Sequence, residues 1–207
     1  MTSTPTSGRP TGATTSPSPE RRFSTAEIVV HAAFALLIGI GILTAAIMWL
    51  DTLAVAVGRR DLIRTVHVTA GLLAPLPLAL GLLSTRFRAD VARLERWTDT
   101  DVEWLRSKDR RSGRLPVSKF NAGQKLNAAL TVGAVVVLLG TGTVMGGWLW
   151  SWPTSARTDA TWVHDWTAFA LTLAVVGHVV FAVRYRRGDS STSQPRNATS
   201  SRNRVSG

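Results

Sequence analysis

Four apolar runs constrain this chain more than any other feature. They cover residues 26–50, 62–83, 120–148 and 162–183, each near or above the roughly 20 residues a helix needs to cross about 30 Å of hydrocarbon. Lipid offers no partner for an unpaired backbone N–H or C=O, so all four are predicted to be helical. The expected fold class is an all-α membrane protein, a four-transmembrane-helix bundle. The first run is longer than the apolar region of a signal peptide, lies far from the start and carries a histidine, so it reads as a retained helix.

The rest of the chain is polar and basic. Residues 1–22 are rich in Ser, Thr, Pro and Gly, with almost no large apolar side chains. Such a segment buries too little surface to offset its chain entropy. The expected organisation is a disordered tail over 1–22, a membrane domain over 23–187 and a second disordered tail over 188–207. The net charge of +11 would suggest nucleic acid in a soluble protein. Here the basic residues flank apolar spans instead of lining one amphipathic face, so the expected surroundings are membrane lipid and no nucleic acid.

Of the 24 Lys and Arg residues, all but Arg59, Arg60, Arg64 and Arg157 fall in the two tails, in the long connection between the second and third runs, or at adjacent Lys125. The positive-inside rule then predicts a multi-pass protein of a bacterial plasma membrane with both termini and that connection cytoplasmic. The short connections around residues 51–61 and 149–161 face outward. Trp148, Trp150, Trp152, Trp162 and Trp166 are read as an interfacial aromatic belt on that outer face, with docking of a partner as the alternative.

All four histidines, His31, His67, His164 and His178, lie inside apolar runs, where ionisable groups are costly and usually functional. The topology places His31 and His178 near the cytoplasmic ends of the first and fourth helices, and His67 and His164 near the outer ends of the second and fourth. From 164 to 178 is about 21 Å of helix and within about 40° of one face, so the fourth helix can offer one ligand at each of two depths. Two neutral imidazoles facing each other form a bis-histidine haem site. A single buried histidine is more often a packing residue, but four of four paired by depth favour two haem b. Zinc would need further ligands, and only Asp165 stands near. Cysteine is absent, which excludes covalently attached haem and cysteine-ligated clusters. Glycines at 39, 41, 71, 133, 140, 142, 146 and 147 are candidates to admit a flat macrocycle, with close helix packing as the alternative. Pro75 and Pro77 are expected to kink the second helix.

The third run opens with Lys119-Phe120-Asn121-Ala122-Gly123-Gln124-Lys125, preceded by Asp101-Val102-Glu103-Trp104-Leu105. With the histidine order, one each in helices one and two and a pair fourteen apart in helix four, this resembles the cytochrome b (gamma) subunit of membrane-bound formate dehydrogenase and related dihaem cytochrome b subunits. The likeness spans roughly residues 28–187. It implies that His31 and His178 ligate the iron of the cytoplasmic-side haem and His67 and His164 that of the outer haem, with Asn121, Gly123 and Gln124 lining a quinone pocket. The alternative for Asn121 and Gln124 is a helix cap and a headgroup contact.

The resemblance also implies menaquinone as acceptor, and an iron–sulfur subunit and a molybdenum-containing dehydrogenase subunit as partners on the outer face. No residue of this chain is expected to oxidise the substrate, so it is an electron-transfer subunit. The alternatives are a stand-alone quinone-linked dihaem oxidoreductase, or the cytochrome subunit of a hydrogenase or another molybdoenzyme.

Overall fold

The computed structural model describes residues 23–108, 118–147 and 150–190. The tail over 1–22, Trp148, and the tail beyond Ser190 lie outside the described residues. Helix α1, Thr25–Trp49, starts at a reciprocal cap: the Glu27 amide donates to Ser24 Oγ at 3.3 Å and the Ser24 amide to Glu27 Oε2 at 2.8 Å. These bonds satisfy two amides that the first turn leaves without partners. A short helix α2, Asp51–Val57, follows and closes on Gly58 at φ 64°, a left-handed turn that glycine adopts without strain.

The second span, Arg60–Gly81, loses its regular hydrogen-bond ladder at Ala74, which itself keeps right-handed helical dihedrals, φ −54° and ψ −40°. Helix α3, Arg60–Leu73, and helix α4, Pro75–Gly81, meet at Ala74. Pro75 has no amide to continue the ladder and its ring crowds the preceding turn, so α4 restarts with proline at its first position. The connection that follows contains two amphipathic helices that the run of charges did not announce, α5, Thr85–Glu95, and α6, Asp99–Arg106. Their caps were the available signal: Ser84 Oγ accepts from the Phe87 amide at 3.4 Å, and the Thr98 amide donates to Asp101 at 2.9 Å.

Helix α7, Ala122–Gly146, ends on left-handed Gly147. Helix α8, Thr154–Ser190, begins directly after Pro153, eight residues before the start of the apolar run. The Arg157 guanidinium donates to the Met145 carbonyl at 2.9 Å, fastening the start of α8 to the end of α7.

The four long helices are those of a membrane bundle by length and composition. Contacts concentrate within two hairpins, α1 with α3 and α4, and α7 with α8, and are sparse between them. The buried apolar residues, Ala70, Ala74, Ala122, Val135, Ala160 and Leu171, are small or few. No large side chain is fully enclosed among the described residues.

At the end carrying the N-termini of α1 and α7, hereafter the basic end, charges bind the pieces together. Lys119 pairs with Asp90 of α5, lies 3.8 Å from Glu27 of α1, and sits over the Phe23 and Phe120 rings at 5.1 and 5.6 Å. Lys125, 4% exposed at its side chain, donates to Asp101 Oδ2 at 2.7 Å and to the Arg96 carbonyl at 2.8 Å. Burial pushes both carboxyls up, but the hydrogen bonds and charges of Lys119 and Arg93 at Asp90, and of Lys125 with Thr98 at Asp101, outweigh it. Both therefore titrate below the ordinary carboxylate value.

Candidate functional site

The seam between the hairpins is spanned by two pairs of imidazole rings. His31 on α1 faces His178 on α8 with ring centroids 6.2 Å apart and planes at 61°. His67 on α3 faces His164 on α8 at 6.3 Å and 65°. The pairing expected from helix order and depth is the one the fold brings together. One helix supplies a ring to each pair because 14 residues of α8 bring its face round again.

These separations fit a metal between the rings. A metal–imidazole bond of roughly 2.0–2.1 Å, plus about 1.1 Å from nitrogen to ring centre on each side, predicts centroids about 6.3 Å apart. Among the described residues no group of three or more His, Cys, Asp or Glu side chains gathers to hold a metal. Each pair brings two imidazoles together, a donor set that would suit a bis-histidine haem iron better than tetrahedral zinc. An added Cβ at Gly39, Gly41, Gly71, Gly133 or Gly140 would meet nothing within 4 Å. At Gly142 it would stand 3.6 Å from His164 Cε1, in ordinary contact with the ring.

Behind the His67–His164 pair stand two hydroxyls that the sequence reading did not single out. Thr44 Oγ1 donates to the Ile40 carbonyl at 2.7 Å and lies 3.0 Å from His67 Nδ1, and the Gly41 carbonyl lies 3.1 Å from the same nitrogen. Thr141 Oγ1 donates to the Val137 carbonyl at 2.8 Å and lies 2.9 Å from His164 Nδ1. A signal was present: each threonine lies in an apolar run 23 residues before its histidine.

The residues of the Asn121–Lys125 stretch separate in the structure. Asn121 Oδ1 accepts from the Gln124 amide at 2.9 Å and Gln124 Oε1 from the Asn121 amide at 3.0 Å, a capping box that starts α7. Gly123 lies against Trp104, whose ring an added Cβ would approach to 3.2 Å. A cavity of about 430 Å³ opens between α5, α6 and the start of α7, lined by Asn121 with Arg93, Arg96, Trp104, Phe120 and Lys125. Gly123 and Gln124 are not part of its lining. At the opposite end, Trp150, Trp152, Trp162 and Trp166 are exposed.

No curated protein matches the chain. The model of the family described as prokaryotic cytochrome b561 matches residues 22–195, which takes in all four spans, both ring pairs and the capped start of α7. The chain therefore belongs to the prokaryotic cytochrome b561 family, and is a multi-pass membrane b-type cytochrome that binds haem b and works in electron transfer.

Proposed function

We propose that this chain is a dihaem b-type cytochrome subunit that carries electrons across the plasma membrane between an extracytoplasmic dehydrogenase and the quinone pool. The observation that carries it is the two facing histidine pairs, 6.2 and 6.3 Å apart, about 21 Å from each other along α8. When bound, haem supplies one-electron redox chemistry at each level. The chain's own residues do the rest: four imidazoles hold the two irons, and α8 fixes their spacing.

In this reading the basic end is cytoplasmic, because nearly all Lys and Arg residues lie on that side. His31 and His178 then stand at the inner level and His67 and His164 at the outer. Quinone, with menaquinone the expected type, is reduced at the inner level. The cavity beside Asn121 supports this, since a quinone carbonyl needs a hydrogen-bond donor and a wet route for protons. Asn121 keeps its amide N–H groups for such a carbonyl while its oxygen caps α7. Resemblance at the Lys119–Lys125 stretch makes an iron–sulfur subunit and a molybdenum-containing formate dehydrogenase the best partners.

The test is haem stoichiometry by the pyridine haemochrome method on protein purified from iron-replete membranes. Two low-spin haem b per chain are expected; one or none overturns the dihaem reading. Purification without detergent exchange should bring down an iron–sulfur protein, and quinone-linked turnover by the isolated chain would instead make it a stand-alone oxidoreductase.

A further inference from the structure

We infer that Thr44 and Thr141 are positioning residues for the haem held by His67 and His164, fixing the tautomer and aim of both imidazoles and lowering the reduction potential at that level. The inference rests on the dihaem reading and concerns only one of its two levels.

The hydroxyls settle which way each hydrogen bond runs. A threonine has one hydroxyl proton, and in both residues it is given to the carbonyl one turn back, Ile40 for Thr44 and Val137 for Thr141, at 2.7 and 2.8 Å. The oxygen is then left as an acceptor toward the histidine. At His67 the same nitrogen also lies 3.1 Å from the Gly41 carbonyl, which can only accept. Nδ1 must therefore carry the proton, and the Nε2 lone pair remains for iron. At His164 the Thr141 oxygen, 2.9 Å away, takes the same role.

The two arrangements repeat each other. In each, a threonine holds the ring of a histidine 23 positions ahead, one arrangement in the α1–α3 hairpin and one in α7–α8. Glycine flanks both, at Gly41 beside the first and at Gly140 and Gly142 around the second. An imidazole whose Nδ1–H is held by an oxygen is a stronger donor through Nε2, which favours ferric over ferrous iron. Among the described residues neither His31 nor His178 has a ring hydrogen bond, so this influence acts on one level alone.

Thr44→Val and Thr141→Val keep the β-branched shape and remove the acceptor. Expected is an upward shift in the midpoint potential of one haem only. For the double variant it reaches a tenfold change in that haem's redox equilibrium, about 59 mV for one electron. Thr141→Val should shift more than Thr44→Val, because His67 keeps the Gly41 carbonyl. Serine at either position retains the oxygen and restores the potential. The resonance Raman iron–imidazole bands of that haem should shift with the valine variants and return with serine.

Equal shifts in both haems, or an unchanged potential in the double valine variant with two haems still bound, overturn the assignment. A wild-type protein with fewer than two haems would instead overturn the dihaem reading beneath it.

Discussion

The two ends of the bundle present nearly the same ring geometry on very different supports. His67 and His164 are half-buried and held through Nδ1 by oxygen atoms of their neighbouring helices, whereas His31 and His178 are exposed in the isolated chain and lean on nothing comparable. Around the latter pair the order comes from charge: Lys119 joins α1, α5 and the entry of α7, and Lys125 joins α6 to α7. The division follows from the solvent. Within an apolar span a hydroxyl that satisfies its own proton on its own helix is a cheap polar group, while an ion is not. Near the membrane edge ions stay partly hydrated and can reach across longer gaps. Equal spacing is thus reached by two routes, and variants that attack one route should spare the other.

The largest effect belongs to the rings themselves. His67→Ala or His164→Ala should remove one low-spin spectral component and leave the second in place, and His31→Ala or His178→Ala should do the converse. Optical and EPR spectra of reduced and oxidised membranes read this directly. If His31→Ala and His67→Ala erase the same component, the comparison between levels fails.

Next comes the buried pair at the basic end. Lys125→Ala strands Asp101, and removing one partner of a buried pair costs about 3 kcal/mol, at the low end of the usual range because a cavity large enough to admit water adjoins it. Denaturant titration in detergent should show that loss, with the haem at His67 and His164 released later than the other. Acid probes the same pair. A carboxyl whose folded value is depressed stabilises the fold above its unfolded value, near 3.8 here, and the contribution fades as pH falls further toward the folded value. Thermal midpoints should be insensitive to these two groups from pH 7 to about 4 and drop below that. Asp101→Asn should start lower and drop less.

Much of this was legible because the strongest signals are those of a chain in lipid. Length, apolarity and histidine depth fix the spans and the ring pairs before any coordinate is known, since the bilayer leaves helices no alternative. The interruption of the second span at Pro75 was also readable. What stayed hidden was local and polar. Helices α5 and α6 lie in a segment whose charges mask short amphipathic faces, and the α8 start at Thr154 precedes its apolar run. Thr44 and Thr141 sit among apolar neighbours as ordinary helix residues until the partner helix is placed. The roles of Asn121 and Gln124 were ambiguous because an amide oxygen suits a cap and a ligand equally well.

The smallest expected effect separates those two roles at Asn121. Its side-chain oxygen caps α7 by accepting from the Gln124 amide at 2.9 Å, and the same residue lines the cavity beside Trp104 and Phe120. Asn121→Ala removes both functions, at a cost of about 1 kcal/mol in the cap. Asn121→Ser keeps a capping oxygen of nearly equal quality but has no amide to offer a quinone carbonyl. Should the amide bind quinone, reoxidation of the reduced haems by a quinone analogue will slow several-fold in both variants, since one lost hydrogen bond is worth on the order of 1 kcal/mol. Thermal stability would then fall in alanine alone. If serine leaves the kinetics unchanged and alanine lowers rate and stability together, the residue only starts the helix, and the proposed quinone site loses Asn121 as its donor. Haem content is expected to stay at the wild-type level in both variants, because Asn121 touches neither ring pair.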